Sequence, residues 1–442
     1  MKKKFNLSIG LICAMLLATG NFAKAETITF DNVYDKTKTY SQELKISNIE
    51  IGISKTELKS AKADYYPTLT AGSYAEYTRD LTKKTGGSGG SSISSVGSSV
   101  VSSASQYQNL LNINLSYNLF DFGVIHKKVV MAKKDVEEKN ILYKQSLVDL
   151  KMKLLDVYTK GLILNKSIKA LNQMLPVAQS LYDMKQELYK EGFASKLQVS
   201  DESINVMKLK NEILDNQIEF KKVLTDLSSY THENYDIENT ELSDFDNQDY
   251  IVPIANKSNR QNLKYKVYQL EIEKKKAELE SMKRQKLPNI KLYTSFGLYG
   301  ADRSDFLKSV NNIGTRNLTA GISASLPLFD GFKNSANCDR LKMELKKLQL
   351  QKEQAEEDYN SSLDKLTESL SSYKEEKKNY DILLGEVSEK LAMLNQLSQE
   401  KLTDKASVEK QKQELIKQKL EYEKNRIIIA SSIRKIETLL GT

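Results

Sequence analysis

Ile113-Asn114-Leu115-Ser116-Tyr117-Asn118-Leu119-Phe120-Asp121 alternates apolar and polar residues and ends on a triplet that returns, 209 positions later, as Leu328-Phe329-Asp330. The same shift aligns Leu188 with Leu397, Val199 with Val408, Asn216 with Asn425 and Leu224 with Ile433, with no insertion. Upstream, Pro67 matches Pro288 at a shift of 221, so the first copy carries a loop 12 residues longer between its proline and its Leu-Phe-Asp. A repeat of this size is a duplicated domain-sized unit, not a solenoid period.

Each copy reads in the same order. A polar helix is expected over Asp31 to Tyr65 in the first and Asn259 to Lys286 in the second. Each ends before its proline, because the residue preceding proline avoids helical angles. Two alternating segments follow. In the first copy Leu69, Ala71, Ala75 and Tyr77 fall on one face; then Ile113, Leu115, Tyr117 and Leu119 alternate with Asn112, Asn114, Ser116 and Asn118. In the second, Ile290, Leu292, Phe296 and Leu298 form one apolar set; Leu318, Ala320, Ile322, Ala324, Leu326 and Leu328 form the next, with Ser323 and Ser325 on its polar face. Period two over about ten residues is the signature of a strand with one dry and one wet face. The loops between paired strands are a Gly/Ser tract, Gly86 to Ser105, and a shorter mixed stretch, Ala301 to Thr315.

A long helical pattern follows each strand pair. Leu147, Leu150, Leu154, Val157, Gly161, Leu164, Ile168, Leu171 and Leu175 step by three and four, as do Tyr359, Leu363, Leu366, Leu370 and Tyr373, with Leu384 further on. A sustained 3.5-residue repeat packs helices as left-handed coiled coils. A helix from His126 to Glu191 would run roughly 100 Å at about 1.5 Å per residue, with a kink at Pro176. The chain then turns at Gly192 to Ser195 and returns from Leu197 to Ser229; the second copy turns near Leu402 to Lys405 and ends near Leu440. Tyr230 to Lys257 has no period and joins the copies.

The first residues are a processing signal. Lys2, Lys3 and Lys4 precede a short apolar stretch, and Ala23-Lys24-Ala25 has the small-x-small form of a cleavage site, so the mature chain is expected to start at Glu26. Removing those four lysines lowers the net charge from +8 to +4. The remaining lysines alternate with glutamates along helices, unlike the clustered basic face of a nucleic-acid binder. The domains expected are therefore 1–25 signal, 26–229 first repeat, 230–257 joining segment and 258–442 second repeat. Cys338 is the one thiol left after cleavage, which excludes an internal disulfide framework.

Four strands cannot close a barrel, since bacterial barrels start at eight, and a sheet cannot keep open edges in a membrane. The chain must oligomerise, a dimer giving 8 strands and a trimer 12, with Asn112, Asn114, Ser116, Asn118, Ser323 and Ser325 facing a wet lumen. The alternative, a soluble sandwich with one solvated face, does not explain the coiled coils. Tyr77, Tyr107, Tyr117, Tyr293 and Tyr299 lie on or beside the strands, where interfacial belts would use part of the 23 tyrosines.

At this point the chain resembles the TolC family of outer-membrane efflux channels. The resemblance rests on Ala61-Lys62-Ala63-Asp64-Tyr65-Tyr66-Pro67-Thr68-Leu69, on Leu326-Pro327-Leu328-Phe329-Asp330-Gly331-Phe332 with its echo Leu119-Phe120-Asp121-Phe122-Gly123, and on Gly192-Phe193-Ala194-Ser195-Lys196-Leu197-Gln198-Val199. The stretch from Tyr422 to Leu440-Gly441 resembles the family's last helix.

The resemblance implies a mainly helical protein with a membrane β-barrel. Four strands per protomer would enter a shared trimeric 12-stranded barrel, and long coiled-coil helices would form a periplasmic α-barrel. It implies outer-membrane lipid, a periplasmic adaptor protein and an inner-membrane pump as partners, with passive export of substrate. Adaptor docking would fall on the helical-hairpin tips, at Gly192, Phe193, Ala194, Ser195 and Leu197 in the first copy and Leu402, Thr403 and Asp404 in the second. Aperture candidates are Asp201 and Asp404, although the ordinary reading of each is a solvated or helix-capping acid. Lys401 stands where the first tip has Gly192, and Ser407 and Lys410 occupy positions where the family often has acids.

No enzymatic signature is present. His126 and His232 have no partner in sequence reach, and Gly86-Gly87-Ser88-Gly89-Gly90 lacks the Lys-Ser/Thr of a phosphate loop. No cofactor or metal is expected. The alternative to a duct is a surface-anchored coiled-coil adhesin or spacer, which would not need the helix-proline-strand unit twice.

Overall fold

The duplication survives in the elements themselves. The computed structural model describes residues 26–79, 106–237, 239–245 and 262–441. The expected signal segment, the Gly/Ser tract and part of the joining segment (238 and 246–257) lie outside them. In order, the elements are β1 (Glu26–Ile28), α1 (Phe30–Tyr40), α2 (Gln42–Ala63), β2 (Thr68–Thr78), β3 (Gln106–Phe120), α3 (Val124–Lys190), α4 (Lys196–Thr231), β4 (Thr240–Leu242), α5 (Leu263–Arg284), β5 (Asn289–Asp302), α6 (Phe306–Asn311), β6 (Ile313–Ser325), α7 (Lys333–Gln399) and α8 (Lys405–Leu440). Helices α3 and α7 are each 67 residues long and begin 209 positions apart; α4 and α8 are each 36 long at the same shift. Helices α2 and α5 are each 22 long, 221 apart.

The chain forms two compact units, each drawing on both copies. The first comprises Met1–Gln42, Leu147–Asn256 and Ser362–Thr442; the second comprises Glu43–Ser146 and Lys257–Ser361.

The second unit holds a four-stranded sheet in the order β2-β3-β5-β6, antiparallel throughout. Its register sorts the side chains by polarity. Leu69, Ile113 and Leu115 share one face with Leu292, Phe296, Leu318 and Ile322, because Ala71 opposes Ile113, Ile113 opposes Phe296, and Phe296 opposes Leu318. That apolar face is open: Leu318 is 73% exposed and Leu69 69%. Asn112, Asn114 and Ser116 occupy the other face, and Asn118 and Ser323 share it because both oppose Lys291. The outer strands β2 and β6 each pair on one side only. Among the described residues no helix is long and apolar enough to cross a membrane.

Ion pairs join the helices below the sheet within this unit. Lys274 bridges Asp135 at 2.9 Å and Glu138 at 2.7 Å, and Lys139 reaches Glu50 at 3.1 Å. Glu138 is itself buried.

The first unit contains the helical hairpins. Leu171, Ala178, Val206, Leu209 and Ile213 form a buried seam between α3 and α4, with Met174, Leu175 and Tyr182 packed against it. Leu171 and Leu175 are its members from the three-four stripe read in the sequence. On α7, Leu363 and Leu370 are buried, and Leu366, Tyr373 and Leu384 half-buried.

Three expectations need correction. The first polar helix is two helices, α1 and α2, broken at Ser41, whose ψ of 117° leaves the helical region. Tyr158 is fully buried on α3 where Val157 was the expected stripe residue. Tyr293 and Tyr299 lie on the polar sheet face, opposite Ser116 and Leu110, and so belong to no outward-facing belt. Within the joining segment, which has no period, β4 pairs in parallel with β1, Ile28 opposite Leu242. Strands of three residues carry no period, and this pair brings together residues more than 200 positions apart.

Candidate functional site

The candidate site residues fall in two places, the sheet of the second unit and the hairpin tips of the first. In the sheet, the six polar residues expected to line a lumen fall on one face of the register, Ser325 opposing Asn289. Ser295 Oγ donates to Asn114 Oδ1 at 2.6 Å, a cross-strand hydrogen bond on that face. A sheet with one apolar exposed face and one hydrogen-bonding face is the arrangement a lipid-embedded strand needs.

The passages between sheet and helix are built alike in both copies. Asp121 accepts from the backbone N–H groups of Gly123 (2.9 Å) and Ile125 (2.6 Å), and Asp330 accepts from Asn334 N–H at 2.9 Å. The aspartate of each Leu-Phe-Asp therefore satisfies the free N–H groups at a helix start. Phe122 and Phe332 both adopt positive φ, 54° and 66°. In the first copy Arg284 donates to Phe122 O at 3.0 Å, tying α5 to the passage.

The tips are also two versions of one turn. Gly192 has φ 83° and Lys401 φ 60° at the equivalent position. Phe193 N–H donates to Leu188 O at 2.8 Å, and Leu402 N–H donates to Leu397 O at 2.8 Å, each closing the six-residue bond that ends a helix in a left-handed residue. Ser195 then caps α4 in a capping box with Gln198. Asp404 caps α8, accepting from Ser407 N–H at 3.0 Å. Hydrogen bonding from Ser407, with the nearby positive charge of Lys185, holds the Asp404 carboxyl below its ordinary range. Capping is the ordinary reading of Asp404.

Asp201 is exposed in the first turns of α4. Its neighbour Glu202, which the sequence did not single out, lies 3.6 Å from Lys410 of α8. Phe193, Leu197 and Leu402 project into solvent, Phe193 being 79% exposed. The remaining predicted tip residues, Ala194 and Thr403, lie in these turns between the helix ends.

Lys401 holds a left-handed conformation that costs a residue with a Cβ about 1–2 kcal/mol relative to glycine. Lys401→Gly is therefore expected to stabilise the second tip by up to about 1 kcal/mol, the remainder lost to glycine's extra chain entropy. Slower hydrogen exchange of the Leu402 amide and the first-turn amides of α8 checks this; unchanged exchange would show the turn to be unstrained.

The chain matches the family model described as "Outer membrane efflux protein" over residues 33–231 and 256–442. The chain belongs to the outer membrane efflux protein family. The two matched stretches cover both copies of the repeat. No curated protein matches the chain. Among solved structures, the outer-membrane channel OprN is similar with TM-score 0.78 and 13% identity over 93% of this chain and 89% of that one. The Campylobacter jejuni CmeC outer membrane channel is similar with TM-score 0.77 and 13% identity over 93% and 85%. The Vibrio cholerae outer membrane protein VceC is similar with TM-score 0.71 and 12% identity over 91% and 95%. At these identities the likeness speaks for the fold. As a member of that family, the protein acts in efflux at the outer membrane. The adhesin alternative is left without support.

Proposed function

We propose that three copies of this outer membrane efflux protein assemble into a passive exit duct. Twelve strands would close the barrel and the helical hairpins would line a periplasmic passage. The duplicated unit, 26–229 and 258–442, would supply each protomer's two equivalent faces. An adaptor protein would dock at the Gly192–Leu197 and Leu402–Asp404 tips, and an inner-membrane pump would supply the energy. The duct itself performs no chemistry.

The observation that carries this reading is the four-stranded antiparallel sheet with an exposed apolar face and two unclosed edges, β2 and β6. An open sheet leaves N–H and C=O groups unsatisfied in lipid at several kcal/mol each. Closure by further copies removes both edges. Support for the tips as docking points comes from the exposed Phe193 and Leu402 at equivalent positions.

The detergent-extracted protein is expected to run as a trimer and to conduct ions when inserted in planar bilayers. Leu318→Arg, near the middle of β6 on the apolar face, is expected to cost about 2–4 kcal/mol, the penalty for a cation at the bilayer midplane, and to lower the yield of assembled trimer. Thr319→Arg, on the opposite face, is expected to assemble normally and shift conductance toward anions. A monomer in detergent, or equal assembly defects from both substitutions, would overturn the duct reading.

A further inference from the structure

The short helix α6 sits where no strand or channel function requires it. We propose that α6 is an interfacial element that inserts its apolar side into the outer leaflet of the outer membrane, against the lipid-facing surface of the barrel. This rests on the barrel reading and adds a lipid contact to it.

The argument starts from register. Pairing between β3 and β5 is continuous from Tyr107 opposite Asp302 to Asn118 opposite Lys291. Asn109 and Gly300 oppose each other within it, and so point to the same side as Leu111, Ile113, Phe296 and Leu298, the apolar face. The side-chain and backbone contacts seen between α6 and the sheet among the described residues come from that side. Ser309 is fully buried, and a Cβ on Gly300 would lie 2.1 Å from Ser309 O, so only glycine admits the helix backbone here. Asn109 Nδ2 donates to Ser309 Oγ. The Tyr107 ring meets Phe306 at 6.5 Å and Tyr77 at 4.7 Å. Helix α6 thus lies on the outside of the sheet, at the end opposite the passages into the long helices.

Its own composition continues that surface. Phe306 is 43% exposed, Leu307 68% and Val310 41%. These large apolar side chains leave much of their surface uncovered, Phe306 even while its ring meets Tyr107. The acids of the segment are already used: Asp302 accepts from Ser304 and Asp305 N–H, and Asp305 caps the helix through Leu307 N–H. The cations Lys308 and Arg316 are exposed, Arg316 at the top of the apolar face of β6 opposite Leu298. Apolar residues flanked by Lys or Arg, beside a tyrosine pair, are what an interfacial segment presents to acyl chains and lipid phosphates. The occupant is lipid because the patch is continuous with the face that the barrel already gives to the membrane. A lid over the channel mouth would need contacts from the polar face instead.

The test places spin labels on single cysteines in the full-length trimer, in a Cys338→Ser background, reconstituted in phospholipid vesicles containing anionic phosphatidylglycerol. Collisional access to oxygen, which concentrates in lipid, is compared with access to a water-soluble nickel chelate. Labels at Leu307→Cys and at Leu318→Cys are expected to favour oxygen, and one at Asn114→Cys to favour nickel. Adding Gly300→Val, which expels α6, is expected to move the Leu307→Cys label toward nickel while leaving Leu318→Cys unchanged. Nickel-favoured access at Leu307→Cys with oxygen-favoured access at Leu318→Cys overturns the lipid contact alone. Nickel-favoured access at both sites overturns the barrel reading beneath it.

Discussion

Tyr158→Ala is expected to destabilise the helical unit by about 3–5 kcal/mol, the range for removing a large buried aromatic side chain. Tyr158 is fully buried on α3, between Phe30 at 5.6 Å and Phe245 at 5.4 Å between ring centroids. Its hydroxyl lies 2.7 Å from both Ile28 O and Ser243 O, and its single proton serves one or the other. Those carbonyls belong to the ends of the β1–β4 pair, so one side chain fastens the first described strand and the joining segment to α3. Arg434 of α8 stacks its guanidinium over Phe30 and Phe245, at 5.6 and 5.1 Å, and pairs with Asp31 at 3.3 Å. Tyr158→Phe keeps the packing and removes the hydroxyl. Ile28 O still accepts from Ser243 N–H at 2.9 Å, so Ser243 O is the acceptor deprived. That variant is expected to cost about 1–3 kcal/mol.

The pH dependence of the Tyr158 contribution separates the two effects. Burial, then the negative charge of Asp244, pushes the Tyr158 hydroxyl well above its ordinary value. The folded state keeps the proton while an unfolded tyrosine releases it near pH 10, about the model-peptide value. Above that pH the unfolded state binds fewer protons, so stability falls as pH rises. The contribution is complete below about pH 10 and lost above it. Thermal melts of the detergent-solubilised protein between neutral and alkaline pH are expected to show a steeper alkaline decline for the wild type than for Tyr158→Phe. Parallel declines would mean that the hydroxyl is not sequestered by the fold.

None of this clamp was visible in the sequence, and the reason is physical. Long elements announce themselves through period. The alternation of Ile113 to Leu119 and the three-four steps from Leu147 to Leu175 each repeat enough times to rise above chance, so strands, hairpins and the duplication were legible. Strands β1 and β4 have three residues each and pair across the whole first copy, which leaves neither period nor proximity to read. Helix α6 has six residues, less than two turns, inside a stretch that read as a mixed loop. At the tips, the departure at Lys401 was legible as a residue but not as a conformation. Glu202 became notable only when folding brought it near Lys410. Position 176 shows the same limit from the other side. Pro176 lies inside a continuous α3, and the 209-residue shift puts Gly385, another weak helix former, at the equivalent point of α7.

On the proposed docking of an adaptor at the tips, the substitution pair Phe193→Asp with Leu402→Asp is expected to abolish adaptor engagement while leaving the protein folded. The two residues are equivalents at the 209-residue shift, each donating its N–H to close a tip turn. In such turns the residue at this position commonly packs an apolar side chain back onto the helix it ends. Here Phe193 is 79% exposed and Leu402 70%, so little of either side chain is committed to that contact. The turn itself is held by backbone bonds and by the Ser195 and Asp404 caps, which the substitutions leave intact. Stability is therefore expected to change by no more than about 0.5 kcal/mol per site, as for surface positions without a structural role. Binding is a different matter, because exposed aromatic and large aliphatic anchors carry most of the energy of an interface, often about 2 kcal/mol or more each. Two lost anchors per protomer, repeated round a trimer, predict at least a hundredfold weaker adaptor capture at about 1.4 kcal/mol per factor of ten. Cross-linking in intact cells from Ser195→Cys to the periplasmic adaptor measures this, with trimer yield and melting temperature recorded on the same samples. Undiminished cross-linking with a stable trimer would move docking away from the tips and onto the flanks of the hairpins, where Ile204 and Met207 of α4 are also exposed.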